Sequence, residues 1–208
     1  MFDWLWVALP NTTHFPQALR GGGGNFGVCV EFQYAPAAVS GSVPVARLTF
    51  DVENTVQLLR TYAEFTCSRP SGRDGVSAYL FLAKDMNQTI ICNVAACDGA
   101  GAASSVETLR ELISPCVSIS TNVFIESMTL PELNSMGDIG NAAGRMYSWS
   151  RSTFVPVLTQ ELIEALGEAR ARLPVAAAAV EIMHLGGAIA MKSSSDSAFY
   201  HRLAVLLL

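Results

Sequence analysis

The sequence is poor in charge and in histidine. Only 15% of its 208 residues are Asp, Glu, Lys or Arg, the formal net charge is −5, and there are three histidines. Because no basic run occurs, we do not expect a nucleic acid as a partner. Half of the residues are hydrophobic, which is too apolar a composition for a disordered chain. A chain of this length can bury a substantial core and suits one or two domains.

Cysteine pairs and long apolar segments are also missing. The five cysteines are scattered, with no C-x-x-C spacing. This pattern favours free thiols in a reducing compartment and gives no support to a zinc site. The run "VAAAAV" stops at Glu181 and is far too short to span a membrane. The opening "MFDWLWVAL" lacks a basic start and contains Asp3, so it does not resemble a signal peptide, and a cytoplasmic location is favoured.

The first half of the chain alternates between strand and helix patterns. Residues 28–34 alternate apolar and polar and predict a half-buried strand. Residues 35–44, rich in Pro, Ser and Gly, indicate a domain boundary. Beyond them the order is strand, helix, strand, strand, helix, strand, at 45–51, 53–65, 76–83, 88–95, 104–113 and 118–127. Ser104 and Glu107 have the spacing of a capping box at the start of the second helix.

A further unit completes the predicted fold. It contains a strand at 145–155, a helix from Thr159 to about Arg172, and a strand at 176–185 that "GGAIAMK" can extend. The final "RLAVLLL" has the composition of a buried strand. The fold class predicted is α+β, a mainly antiparallel sheet with helices on one face, in a domain of residues 43–208.

The glycine-rich run "RGGGGNFGVCVEFQY" spans residues 20–34 and includes the pattern G-x-G-x-x-G. A dinucleotide-binding loop needs a strand before these glycines and a helix after them, because the helix N-terminus binds the pyrophosphate. Here a helical turn at 11–20 precedes and a strand follows, so that interpretation fails. No Gly-Lys-Ser/Thr follows either, which excludes a Walker A loop. Two interpretations stay open: a flexible turn, or a place where backbone approaches another group closely.

Five segments together resemble a known family. The run "ALRGGGGNFGVCVEFQY" resembles the berberine-bridge-enzyme-like FAD-linked oxidases, whose flavin domain is of the p-cresol methylhydroxylase (vanillyl-alcohol oxidase) type. In that family a similar run closes the flavin domain and leads into the substrate domain. Further segments resemble family motifs in the same order: "LPELNSM" (130–136), "WSRSTFVPVLTQELIEAL" (149–166), "EIMHLGGAIA" (181–190) and "SAFYHR" (197–202). The resemblance covers residues 18–208.

The resemblance implies an oxidoreductase that uses FAD. Residues 1–42 would be the C-terminal edge of the FAD-binding domain, and 43–208 the substrate-binding domain. A small-molecule substrate, such as an alcohol or a sugar, would transfer hydride to the flavin, with oxygen as the acceptor. Five residues are predicted to contact the cofactor, mainly through main-chain groups: Gly23, Gly24, Asn25, Gly27 and Val28. No catalytic residue and no metal ligand is assigned.

Two histidine-containing segments have both a functional and a structural interpretation. His184 either faces the substrate or is a hydrogen-bonded histidine of the core or rim. Glu181 lies three residues before it, so the two side chains point to opposite faces of a strand and cannot form a simple dyad. His201 and Arg202 are expected to help hold the interface between domains.

The chain also departs from the family pattern. The pyrophosphate-binding loop and the flavin-attaching His would lie upstream of Met1, and the catalytic Tyr would lie beyond Leu208. Tyr200 replaces the Pro of the family's "A-F-P-H-R" motif, and Cys29 replaces a Val. The chain is therefore expected to be an incomplete oxidase that is inactive by itself. Two alternatives stay open: a binding module without redox chemistry, and an inactive truncated product.

Overall fold

The computed structural model describes residues 18–26, 28, 30–31, 41–67, 76–83, 88–94, 102–137, 144, 149–174, 178–185, 189–202 and 206–207. The strands are β1 Val43–Phe50, β2 Val76–Ala83, β3 Gln88–Val94, β4 Asn122–Met128, β5 Phe154–Val155, β6 Ala179–His184 and β7 Leu206–Leu207. The α-helices are α1 Thr55–Cys67, α2 Ala102–Val117, α3 Leu130–Asn134 and α4 Gln160–Ala171.

All seven strands belong to one sheet with the order β4-β1-β3-β2-β6-β7-β5. Every neighbouring pair of strands is antiparallel. One row of directly opposed positions crosses the whole sheet: Phe124, Arg47, Ile91, Tyr79, Met183, Leu207 and Phe154. Because directly opposed positions share a face, this row marks one side of the sheet from edge to edge.

Helices α1, α2 and α4 cover the other side of the sheet. Alternate strand positions point toward them and are buried: Ala46, Leu48, Phe50, Ala78, Leu80, Leu82 and Ile182. The helices supply the matching apolar residues: Leu58, Leu59, Tyr62, Leu109, Leu112, Ile113, Ile163 and Leu166. The two-residue period of the strands separates this core from the row described above. The α+β class, with a mainly antiparallel sheet and helices on one face, is therefore confirmed.

The ends of the helices follow from capping residues. The hydroxyl of Thr159 accepts the backbone N–H of Leu162, which confirms the predicted start of α4. Thr129 and Glu132 form a capping box at α3, a helix that the sequence analysis missed. The predicted cap at Ser104 is wrong, because α2 already begins at Ala102. Helix α2 also continues to Val117, beyond the predicted end.

Three predicted strands need correction. Residues 28, 30 and 31 are not in a strand, and the rest of 28–34 lies outside the described residues. The predicted strand 145–155 is reduced to β5, since 149–153 are irregular and 145–148 are not described. Residues 189–192 form a turn and do not extend β6. Alternating polarity alone does not make a strand, because the backbone N–H and C=O groups also need a neighbouring strand.

Two other observations concern the chain as a whole. The domain boundary near residue 42 is still a prediction, although residue 43 opens the first described strand of the sheet. Among the described helices, none combines the length and the apolar composition that a membrane span requires.

Candidate functional site

The sheet side opposite α1, α2 and α4 carries a mixture of polar and aromatic side chains. We call it the helix-free face and define it by Arg47, Thr49, Tyr79, Phe81, Phe124, Glu126, Glu181 and Met183. Several of these side chains are exposed although they lie on a sheet; Phe124 is 66% exposed and Met183 is 37% exposed. A sheet face with both charged and aromatic groups can bind a small organic molecule.

Tyr79 and Glu181 form a hydrogen-bonded pair near the middle of this face. The phenol of Tyr79 donates to Oε2 of Glu181. The residues lie on neighbouring strands, where Tyr79 is opposite Met183 and Glu181 is opposite Phe81. Partial burial, together with the hydrogen bond and the negative charge of Glu181, raises the pKa of Tyr79 well above its ordinary value. Tyr79 therefore keeps its proton at neutral pH and acts as a donor to the carboxylate.

Tyr62 supports this pair from the core side of the sheet. Its side chain is fully buried on α1, and its hydroxyl lies 3.1 Å from the carbonyl oxygen of Ala78 and 3.2 Å from that of Ile182. Ala78 and Ile182 are the chain neighbours of Tyr79 and Glu181. One buried hydroxyl thus holds the backbone of β2 and β6 at the place where the side chains of Tyr79 and Glu181 leave the sheet.

An ion pair occupies the other end of the helix-free face. Arg47 on β1 lies 3.7 Å from Glu126 on β4, and both side chains are about half exposed. Water and salt screen such a pair, so it contributes little to stability. Glu126 is useful as a reference, because it is a glutamate on the same face that is distant from Tyr79 in strand order.

The glycine-rich turn has two parts with different packing. Gly21 and Gly23 have φ values of +105° and +85°, which only glycine adopts easily. A Cβ on Gly21 would lie 2.9 Å from Phe199, and one on Gly22 would lie 2.3 Å from the carbonyl oxygen of Ala18. By contrast, a Cβ on Gly23 or Gly24 would meet nothing within 4 Å. The first two glycines thus serve the fold, while the next two expose backbone.

The turn packs against the segment 197–202, which the sequence analysis had treated as a separate motif. The N–H of Ala198 donates to the carbonyl oxygen of Arg20 at 3.1 Å, beside the contact of Gly21 with Phe199. Arg202 places its guanidinium 4.9 Å from the centre of the Phe199 ring. The structure therefore brings two of the family-like segments together, although the contacting residues Arg20 and Ala198 are 178 positions apart in the chain.

A cleft of about 390 Å³ lies beside this contact, at the β5 edge of the sheet. Its wall is formed by Phe154, Val155, Pro156, Ala190, Lys192, Ser193, Ser194, Tyr200, His201 and Arg202. The ring of His201 stacks on Phe154 at 4.1 Å between centroids, with 9° between the planes. Phe154 belongs to the row of the helix-free face, so the cleft continues that face at its edge.

The structure places the predicted site residues in different surroundings. Gly24 and Asn25 lie in a 3₁₀ turn together with Phe26, and Gly27 is outside the described residues. Val28 is 91% exposed. His184 is only 9% exposed and shares the face of Ile182, away from Glu181 and Tyr79. This placement agrees with His184 being a histidine of the core or rim. A contact of His184 with the substrate stays a prediction.

The sequence pattern does not predict the pairing of Tyr79 with Glu181. Both residues are predicted to lie on strands, but their contact depends on the register of β2 against β6, which are about 100 residues apart in the chain. No group of three or more His, Cys, Asp or Glu that could hold a metal is found in the described part of the chain.

The fold defines an α+β domain whose helix-free face borders a glycine turn. No protein-family model matches the chain, and no curated protein matches it. Solved structures do match. A glucooligosaccharide oxidase from Acremonium strictum is 17% identical and has a TM-score of 0.71. The match covers 93% of this chain and 42% of the oxidase. A variant of berberine bridge enzyme in complex with (S)-reticuline is 15% identical and has a TM-score of 0.69. That match covers 94% of this chain and 41% of the enzyme.

A chitooligosaccharide oxidase also matches, with 17% identity, a TM-score of 0.55, and coverage of 82% of this chain and 38% of its own. The resemblance to berberine-bridge-enzyme-like oxidases is thus confirmed at the level of the fold. The chain spans about two fifths of the length of the oxidases it matches.

Proposed function

We propose that this chain is the substrate-binding part of an FAD-dependent oxidoreductase. The observation that carries the proposal is the Tyr79–Glu181 pair on the sheet face opposite α1, α2 and α4, in a fold shared with FAD-linked oxidases. Two of the matched proteins are named for oligosaccharides, and a third is bound to (S)-reticuline. We infer a small organic substrate, an alcohol or a sugar, that is oxidised at a carbon bearing a hydroxyl group.

The glycine turn fits a role in cofactor contact. Gly23 and Gly24 have free space where a Cβ would stand, so another group can approach their backbone closely. The main chain of residues 23–28 would supply this contact, and a separate flavin domain would supply the remainder. When bound, FAD accepts a hydride from the substrate carbon, and oxygen is the final electron acceptor.

Glu181 is suited to receive the proton that leaves the substrate hydroxyl. A carboxylate accepts hydrogen bonds on both oxygens, so the bond from Tyr79 to Oε2 leaves Oε1 available to the substrate. Tyr79 fixes the orientation of the carboxylate. Because the pKa of Tyr79 is raised, its phenol keeps its own proton and cannot take up the proton of the substrate. Loss of the hydroxyl proton to Glu181 and loss of hydride from the carbon together leave a carbonyl group.

The experiment uses the full product of the gene that encodes this chain. We expect the purified protein to contain FAD. Without oxygen, at least one member of a panel of oligosaccharides, monosaccharides and aromatic alcohols should bleach the flavin absorption, and admitting oxygen should restore it. Tyr79→Phe should slow bleaching about tenfold at unchanged flavin content, since it removes one orienting hydrogen bond. A product that binds no flavin would contradict the proposal and favour a binding module without redox chemistry.

A further inference from the structure

The cleft beside β5 differs from the rest of the helix-free face in its charge. Its wall includes Lys192 and Arg202 and no carboxylate from the described residues. Neither of these cations forms an ion pair with a described residue. Asp196 belongs to the same loop but does not line the cleft; its carboxylate is turned to the backbone N–H of Ser193, which it accepts at 3.2 Å. The cleft therefore presents an excess of positive charge in a chain whose formal net charge is −5.

Arg202 is held in place by contacts that leave some of its N–H donors without a partner among the described residues. Its guanidinium packs over Phe199, and Nη2 donates to the hydroxyl of Ser197. The Nε of Arg202 is buried and makes no hydrogen bond to a described residue. A guanidinium has five N–H donors in a planar fork that matches an oxyanion such as a carboxylate.

The loop that carries Lys192 is ordered by its own hydrogen bonds. The N–H of Lys192 donates to the carbonyl oxygen of Ile189, and the N–H of Asp196 donates to that of Ser193. The hydroxyls of Ser193 and Ser195 lie 2.7 Å apart. Ser193 and Ser194 add hydroxyl groups to the wall of the cleft. The backbone of this loop and the serine hydroxyls are thus positioned before any ligand arrives, which lowers the entropic cost of binding.

We propose that this cleft binds an oxyanion carried by the substrate, so that the substrate is an acid-bearing molecule. The inference rests on the proposed function, because it extends the substrate surface along the helix-free face. Tyr79 and Phe154 are three strand spacings apart in one register row, which corresponds to about 14 Å. A substrate that reached both places would be extended, with its anionic group in the cleft and its oxidised group beside Glu181.

The test is a binding measurement that needs neither flavin nor turnover. Glucuronate and glucose are titrated separately into the full gene product, with amide NMR shifts as the readout. The two sugars share a ring and differ by a carboxylate. We expect glucuronate to shift amides of residues 189–202 and glucose to leave them unchanged. Binding should weaken as salt rises, because the cations are partly exposed. Equal responses to the two sugars, or no response to glucuronate, would overturn the proposal.

Lys192→Gln is the diagnostic variant, since Lys192 is exposed and its loss should not disturb the fold. We expect about threefold weaker glucuronate binding, as for a partly exposed ion pair. Arg110→Gln removes a positive charge from α2 and should leave binding unchanged. Unchanged binding in Lys192→Gln would contradict the assignment.

Inorganic phosphate is titrated as well, to separate a substrate carboxylate from a cofactor phosphate. Much tighter binding of phosphate than of glucuronate would mean that the cleft serves a phosphate group and would overturn the assignment to the substrate. If glucuronate binds as expected but the full gene product lacks flavin, the cleft stands as a carboxylate-binding site, while the oxidase proposal and the assignment of the carboxylate to its substrate fail.

Discussion

Replacing Tyr62 with phenylalanine removes a single oxygen atom from beneath the Tyr79–Glu181 pair. The hydroxyl is fully buried and lies within hydrogen-bond distance of the carbonyl oxygens of Ala78 and Ile182. It has one proton, so the two carbonyl groups share one donor. A buried hydrogen bond contributes about 1 kcal/mol net, and a carbonyl left without its partner adds a desolvation cost. We expect Tyr62→Phe to lower the free energy of unfolding by about 1.5 kcal/mol.

The assay is urea denaturation followed by circular dichroism, with the slope of the transition compared between variants. For a domain of this size the same loss corresponds to a fall in Tm of about 4 °C. Tyr200→Phe is the matched control. The ring of Tyr200 is 72% exposed, so the same chemical change there should alter stability by less than about 0.5 kcal/mol. If the two variants are equally stable, the Tyr62 hydroxyl does not stabilise the strands β2 and β6 as described.

Three further predictions concern the glycine turn, the core thiol and the isolated chain. Gly24→Val in the full gene product should reduce flavin retention, whereas Gly41→Val should not; both glycines have room for a Cβ, so a difference reports on contact with the cofactor. Burial raises the pKa of Cys116 to about 11 from its ordinary 9.0. Between these pH values the unfolded chain loses the proton that the folded chain retains, so stability should fall as pH rises, and Cys116→Ala should show a shallower fall. Purified alone, the 208-residue chain should contain no FAD, as measured by its visible absorption spectrum; stoichiometric FAD would contradict this.

The sheet and its main helices could be predicted because their signals are local. Strand β2 was predicted with its observed bounds, and Thr159 was identified as the cap of α4. Both depend on periodicity or on a side chain within three residues. The capping box of Thr129 and Glu132 carries the same kind of signal and could have been found. Ser104 has that spacing too, yet α2 begins before it.

The site was less predictable because it depends on contacts between distant parts of the chain. Nothing in the segment around Tyr79 indicates that Glu181 will lie beside it; that follows from the pairing of β2 with β6. Likewise, the turn at 189–192 brings Lys192 to the cleft, although the sequence pattern predicts that these residues continue a strand. The family-like motifs pointed to the right fold, but tertiary contacts decide which side chains meet.

The most direct test of the central claim compares two glutamates on one sheet face in the full gene product. Glu181→Gln and Glu126→Gln make the same chemical change at different places on the helix-free face. The measurement is the rate of anaerobic flavin bleaching by the best substrate. Because a positioned base contributes about 100-fold to 10,000-fold, Glu181→Gln should slow bleaching at least about 100-fold, and Glu126→Gln less than about twofold. Equal rates in the two variants, at equal flavin content, would contradict the role of Glu181.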